Sequence, residues 1–180
     1  MPERKTASSG TTSRAAAMTH ERSGVAMHCR SLRLEDLTAV IAIDHAYSNQ
    51  ERRRFFEKRF EAAALHPDDF IHIGIECDNA LVGFALVHLH RGEFGDEQAG
   101  AMLDAIGVAR DRREQGVGRQ LIDTLQERAR GYGVRSLRSQ VDWKNHRLLR
   151  FFESSGFALG WRIVLERGTA DLLPEDVDAA

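Results

Sequence analysis

Four arginines, Arg110, Arg112, Arg113 and Arg119, crowd a short segment that also holds Gly116 and Gly118. The segment from Ala109 to Arg119 falls between a run with strand-like alternation and a run with helical period. The first turn of a helix carries unpaired N–H groups and the positive end of the macrodipole, so it is a ready anion site. Glycine has no Cβ, and Gly116 and Gly118 let backbone amides turn toward a ligand that approaches closely. A diphosphate suits this combination. The competing interpretation of Arg-x-x-Gly-x-Gly, taken alone, is a loop shaped by two glycines beside solvated arginines, because so short a pattern recurs by chance. Other phosphate loops fit worse: no G-x-x-x-x-G-K-[ST] is present, and Gly116-Val117-Gly118 lacks the third glycine of a dinucleotide fingerprint.

Other reactive side chains are scattered. The eight histidines show no H-E-x-x-H or other metal spacing, so no metal is expected, and His88 and His90 share one strand face as surface histidines do. Trp143 and Trp161 read as core or rim packing. Arg52-Arg53-Arg54 reads as the solvated face of a helix.

The elements that must position the loop follow from changes of period. His28 to Arg33 reads as a strand, Leu34 to Tyr47 as a helix, and Gln50 to Leu65 as a second helix ended by Pro67. Phe70 to Cys77 alternates, with Ile71, Ile73, Ile75 and Cys77 on one face. Asp78-Asn79 then supports a tight hairpin into a strand over Leu81 to His90. Arg91 to Gly100 is a glycine- and acid-bearing loop, and Ala101 to Ala109 a third long strand. A helix follows over Gly116 to Arg130, where Val117, Leu121, Leu125 and Ala129 recur every fourth residue. Val134 to Asp142 reads as a strand, Asn145 to Ser155 as a short helix capped by Gly156, and Phe157 to Arg167 as one or two closing strands. This order predicts a mixed, largely antiparallel sheet with helices on both faces and one strand-helix-strand crossover.

The chain has 180 residues, enough for one domain with a single sizeable core. With 25 Lys+Arg against 27 Asp+Glu the net charge is −2, so no basic field attracts nucleic acid or an anionic membrane. Cys29 and Cys77 cannot build a disulfide framework, which suits a reducing cytoplasm. No apolar stretch approaches the roughly 20 residues of a membrane span. Residues 1–26 are rich in Ser, Thr, Ala and Arg and read as a disordered tail, residues 27–168 as the domain, and residues 169–180 as a loose acidic tail.

Leu103-x-x-Ile106-x-Val108, then Arg113-x-x-Gly116-x-Gly118, then Asn145 … Phe151-Phe152-Glu153-x-x-Gly156-Phe157, resembles the GNAT acetyltransferase superfamily, in order and in spacing. The resemblance covers residues 28 to 167, most closely from Leu103 to Phe157. It implies an α/β (α+β) fold with a six- to seven-stranded, mostly antiparallel sheet and a splayed strand pair that holds acetyl-CoA. It also implies transfer of an acetyl group to a primary amine of a small molecule or peptide by direct attack in a ternary complex. A non-catalytic acyl-CoA-binding module of the same fold is the alternative. Exposed sheet edges in this fold often pair two subunits, so a homodimer is possible.

Residue by residue, the resemblance implies that backbone groups of Ile106, Gly107 and Val108 bind the pantetheine arm, with the Val108 N–H polarising the thioester carbonyl. Amides across Arg113, Glu114, Gln115, Gly116, Val117, Gly118 and Arg119 would hold the pyrophosphate. Asn145 reads equally as a cofactor contact and as a helix N-cap. An amine of pKa about 10.4 carries a penalty of roughly 4 to 5 kcal/mol at pH 7 unless a base takes its proton. Asp104, on the strand beside the acyl site, is the candidate base; a salt-bridged strand carboxylate is its competing role. Gln140 stands where some relatives place a catalytic glutamate and takes no proton, which leaves Asp104, Glu76, His88 or the Arg91 to Gly100 loop. Phe152, counted with the cofactor-binding residues, stands where many relatives have a tyrosine that protonates the leaving thiolate. A thiol of pKa about 8.5 leaves tolerably as the anion, so three outcomes stay open: slow activity, another donor such as His146 in its place, or binding of acyl-CoA without turnover.

Overall fold

In a computed structural model of the chain, the described residues are 27–48, 52–90, 99–165 and 167. The elements in order are β1 (Met27–Ser31), α1 (Leu37–Ser48), α2 (Arg53–Leu65), β2 (Phe70–Cys77), β3 (Ala80–His90), β4 (Gly100–Val108), α3 (Val117–Gly131), β5 (Ser136–Ser139) and α4 (His146–Ser154). The strands form one sheet in the order β1-β2-β3-β4-β5. The first three pairings are antiparallel and β4–β5 is parallel. A parallel pair needs a crossover, and α3 supplies it.

Alternation along the strands splits the core between two faces. Ile71, Ile73, Ile75, Val87 and Leu89 pack with Val117, Leu121 and Leu125 of α3. Phe84 and Leu86 point the other way, against Val40 and Ile43 of α1 and Phe56 and Phe60 of α2. Each such side chain, fully buried, contributes about 1.5–3 kcal/mol, so the helices are held to the sheet mainly by these two layers.

Polar contacts set the helix entries. Leu34–Asp36 is a single 3-10 turn ahead of α1, so the expected first helix begins later than its apolar period suggested. Both Asp36 oxygens accept from the Arg30 guanidinium, at 2.7 and 2.8 Å, and Asp36 also accepts from the Arg33 N–H at 2.7 Å. Between α1 and α2, buried Asp44 accepts from Arg52 Nε at 3.0 Å. Arg52 also lies over the Phe55 and Phe56 rings, so it is not part of a solvated face.

Two expectations need correction. Among the described residues the sheet has five strands rather than six or seven. Among the described residues, Phe157 to Arg167 forms no strand: Leu159, Trp161, Ile163 and Leu165 alternate as a strand would but are 98, 84, 85 and 89% exposed. Alternation supplies an apolar face, whereas a strand also needs an adjoining edge. The neighbouring β5 has contracted to four residues, Ser136–Ser139. Most of the Arg91 to Gly100 loop and both expected tails, 1–26 and 169–180, lie outside the described residues. No helix among the described residues is long and apolar enough to cross a membrane.

Candidate active site

β4 and β5 pair only from Gly100 opposite Ser136 to Leu103 opposite Ser139. β4 continues to Val108 without that neighbour, so the two strands form a fork. Ser139 Oγ donates to the Leu103 carbonyl at 3.0 Å and closes its base. Immediately beyond, Asp104 is an extra residue: Leu86 lies opposite Ala105 while Val87 lies opposite Leu103. Such a bulge re-aims side chains. Accordingly Leu103 packs on the α3 side, Ala105 on the α1–α2 side, and Ile106 and Val108 again toward α3. Gly107 is hemmed in on the α1 face, where an added Cβ would lie 2.6 Å from Phe84 Cε1 and 3.1 Å from Ile43 Cγ2.

The Val108 backbone is served by a residue that the sequence did not single out. Ala109 N–H still donates to Val82 at 2.8 Å, across to β3. Val108 instead meets Tyr47, whose hydroxyl donates to the Val108 carbonyl and accepts from the Val108 N–H at 3.3 Å. The same oxygen accepts from Arg113 Nε at 2.8 Å, and the Arg113 guanidinium lies 3.8 Å from the Tyr47 ring centroid. One donor and two lone pairs are the whole capacity of a phenol, and all are engaged. Arg110 pins the same end of α1 by donating to the Ala46 carbonyl at 2.6 and 3.1 Å. Cations at a helix C-terminus oppose its negative dipole end.

The loop turns its backbone at two left-handed residues. Glu114 (φ 61°) and Gly116 (φ 85°) are left-handed, and alternation of this kind turns successive N–H groups to one side. Gly116 occupies the N-cap of α3 with no side chain capping it. The first intrahelical donor is the Gln120 N–H, to Gly116 at 2.9 Å, which leaves the amides of Val117, Gly118 and Arg119 without a helical partner. A Cβ at Gly116 would meet nothing, whereas one at Gly118 would lie 2.9 Å from Phe151 Cε2 and 3.7 Å from Val108 Cγ2. Arg113 Nη2 is buried with no hydrogen-bond partner among the described residues. A cationic donor in the same loop as unpaired helix-start amides fits a diphosphate.

Other expected side chains face elsewhere. Arg119 reaches along α3 to Asp123 at 3.2 Å and to the Ser154 carbonyl at 2.9 Å, so only its amide faces the loop. Gln115 Nε2 donates to the Asp111 carbonyl at 2.8 Å, and Val117 is buried in the core. Asn145 Oδ1 accepts from the Leu148 N–H at 3.1 Å, capping α4. Phe152 is buried among Phe151 and Phe157, and its neighbour Phe151 is the ring that reaches Gly118. Gln140 is exposed just past the end of β5.

Asp104 lies under α2, its carboxylate 12% exposed and 3.1 Å from Arg59. Burial raises its pKa above the ordinary carboxylate value; Arg59, His88 and His90 pull it back in part. His88 stacks on Phe70 with ring centroids 4.7 Å apart, and burial and His90 lower its pKa. Glu76 is committed to Arg30 at 2.6 Å, on the β1–β2 side of the sheet. Two open grooves, of about 530 and 680 Å³, lie beside β5 and beside α2, and neither is lined by Val108 or the loop.

The family model described as acetyltransferase (GNAT) family matches residues 31–157. No curated protein matches the chain in sequence. Among solved structures, a transcriptional regulator from Bacillus halodurans C-125 is 18% identical with a TM-score of 0.69, over 79% of this chain and 100% of that one. An aminoglycoside N-acetyltransferase in complex with CoA is 20% identical with a TM-score of 0.68, over 81% and 96%. A ribosomal-protein-alanine N-acetyltransferase from Brucella melitensis biovar Abortus 2308 is 20% identical with a TM-score of 0.64, over 79% and 99%. At these identities the likeness is one of fold.

Proposed function

The chain belongs to the acetyltransferase (GNAT) family, and from that premise we propose that it transfers an acetyl group from acetyl-CoA to a primary amine of a small molecule or peptide, by direct attack in a ternary complex. The observation that carries this reading is the fork: β4 outruns β5 beside a glycine loop with free amides and an orphaned Arg113 Nη2. Acetyl-CoA supplies an acyl group already activated as a thioester.

The chain's own residues do the rest. The loop amides and Arg113 bind the diphosphate, and the backbone of Ile106 to Val108 orients the pantetheine arm within the fork. The Val108 N–H stabilises charge on the acyl oxygen, a contribution that grows in a site screened from water. Asp104 takes the ammonium proton, directly or through water. Its burial raises its basicity toward the working pH, as a general base needs. Arg59, across the carboxylate, opposes that rise and favours the ionised form. Asn145, already capping α4, contacts the cofactor near the same helix, and Phe152 packs behind it. The free thiols Cys29 and Cys77 are consistent with a reducing cytoplasm.

A second reading is favoured by Phe152, which has no proton for a leaving thiolate, and by Gln140, which is no base. On that reading the domain binds acyl-CoA as a regulatory module without turning it over. Calorimetry with acetyl-CoA, coupled to thiol release across an amine panel, separates the two. Binding with turnover on at least one amine is the expected result; tight binding with no turnover on any acceptor favours the module.

A further inference from the structure

We infer that Tyr47 is a further catalytic residue: its hydroxyl yields the Val108 N–H to the acyl oxygen and then donates a hydrogen bond to that same oxygen. The inference rests on the acyl-transfer reading above and adds to it a side chain from the other end of the chain.

The geometry leads there in three steps. First, the Val108 N–H already has an acceptor, the Tyr47 oxygen at 3.3 Å. A single N–H cannot serve two oxygens at full strength, so an acyl oxygen polarised by this amide must take the place of the hydroxyl. Second, the hydroxyl is tethered beside that place. Arg113 Nε donates to it at 2.8 Å and the guanidinium lies against its ring, so a small slide leaves the phenol next to the arriving oxygen. Third, the hydroxyl proton points at present to the Val108 carbonyl, a neutral acceptor. An acyl oxygen gaining negative charge is a stronger one, and charge-assisted hydrogen bonds are roughly twice as strong as neutral ones. Donation from Arg113 into the same hydroxyl further polarises the O–H bond.

The step balances without any change at Tyr47. The amine lone pair forms the N–C bond while the C=O π pair moves onto oxygen, where the Val108 N–H and Tyr47 O–H hold it. That pair returns to carbon as the C–S bond breaks, and the sulfur departs with the bonding electrons. Asp104 passes the ammonium proton to solvent before attack and takes the second proton that the nitrogen loses after the N–C bond forms; the thiolate takes one from solvent, and Tyr47 keeps its own throughout. Phe152 offers no hydroxyl, so the side-chain donor at the acyl group comes from α1.

Tyr47→Phe tests this, since Tyr47 is 45% exposed and phenylalanine preserves its ring. Three quantities are compared with wild type: acetyl-CoA affinity by calorimetry, the single-turnover transfer rate to an amine found in the panel, and the infrared carbonyl band of bound acetyl-CoA labelled with carbon-13 at the acyl carbon. The expected result is a rate lower by about 10²-fold, an affinity within a few-fold, and a band displaced toward its position in free acetyl-CoA. An unchanged rate and band overturn the inference. Tighter binding by about 10-fold with an unmoved band also overturns it, because Tyr47 is then only a plug over the Val108 amide. Wild-type protein that binds no acetyl-CoA overturns the acyl-transfer reading as well. Bound acetyl-CoA with identical bands in both proteins overturns the Tyr47 role alone.

Discussion

Arg59 Nε stands 3.1 Å from Asp104 Oδ2, yet neither atom makes a hydrogen bond among the described residues. The carboxylate therefore feels the cation without spending its lone pair on it. Burial raises the Asp104 pKa and Arg59 lowers it. Arg59→Gln removes the opposing charge, so the acidic limb of kcat/KM against pH is expected to move to higher pH. Asp104→Asn is expected to lower the rate at neutral pH by about 10²- to 10⁴-fold, with partial recovery at high pH, where free amine no longer needs a base. A pH–rate profile for each variant checks both; an unaltered profile in Asp104→Asn removes that residue from the role.

Gly118 is where backbone shape becomes ligand affinity. A side chain there would collide with Phe151 at 2.9 Å and stand over the amide cradle. Gly118→Val is expected to weaken acetyl-CoA binding by at least about 10-fold, an increment of about 1.4 kcal/mol by calorimetry, while the protein stays folded. Affinity equal to wild type would count heavily against the cradle.

Gly116 separates conformation from contact, because a Cβ there meets no atom although φ is 85°. Gly116→Ala is expected to cost about 1 kcal/mol in urea unfolding, from left-handed strain alone. A variant as stable as wild type would mean that the loop relaxes to a right-handed turn.

His72 is held neutral by the fold. Burial lowers its pKa from 6.5 to about 4, and its Nε2 has no hydrogen-bond partner among the described residues. Unfolded chain takes up the proton below pH 6.5 but folded protein only near pH 4, so this histidine makes stability fall as pH drops through that window. His72→Phe is expected to flatten the loss between those values and to add about 1 kcal/mol at pH 7, since an unsatisfied buried nitrogen is removed. Urea unfolding across the window reads out both effects; an unchanged slope would show that His72 is protonated in the folded protein.

Asp36 works in the opposite sense. Arg30 lowers its pKa below the ordinary 3.8, so its stabilisation is complete above that value and disappears as pH falls through the lower folded-state value. Asp36→Asn is expected to cost about 2 kcal/mol at pH 7 by unfolding, with a shrinking deficit toward acid. A constant deficit at all pH values would assign the cost to packing.

The stretch from Leu103 to Phe157 was the legible part of the chain, because its constraints are local. Strand alternation before Val108, glycines at Gly116 and Gly118 and a four-residue repeat from Val117 to Ala129 each act on neighbouring residues. They specify the strand, loop and helix in turn. Asn145 was legible for the same reason, as a cap three residues ahead of the amide it binds. The closing segment misled because alternation at Leu159, Trp161 and Ile163 describes a strand's faces but not whether an edge exists to receive it.

Tyr47 and Val108 are 61 positions apart, and no period or motif links them. Their meeting depends on how α1 packs against Phe84 and Gly107, a matter of shape across the sheet. The bulge at Asp104 is likewise a property of two strands in register, so the placement of that carboxylate under Arg59 could not be read from β4 alone. By itself the sequence determined a glycine turn at a strand-helix junction, since backbone conformation follows from consecutive residues. Only the tertiary structure decided which distant side chains complete it, because those contacts arise from packing between elements that are far apart in the chain.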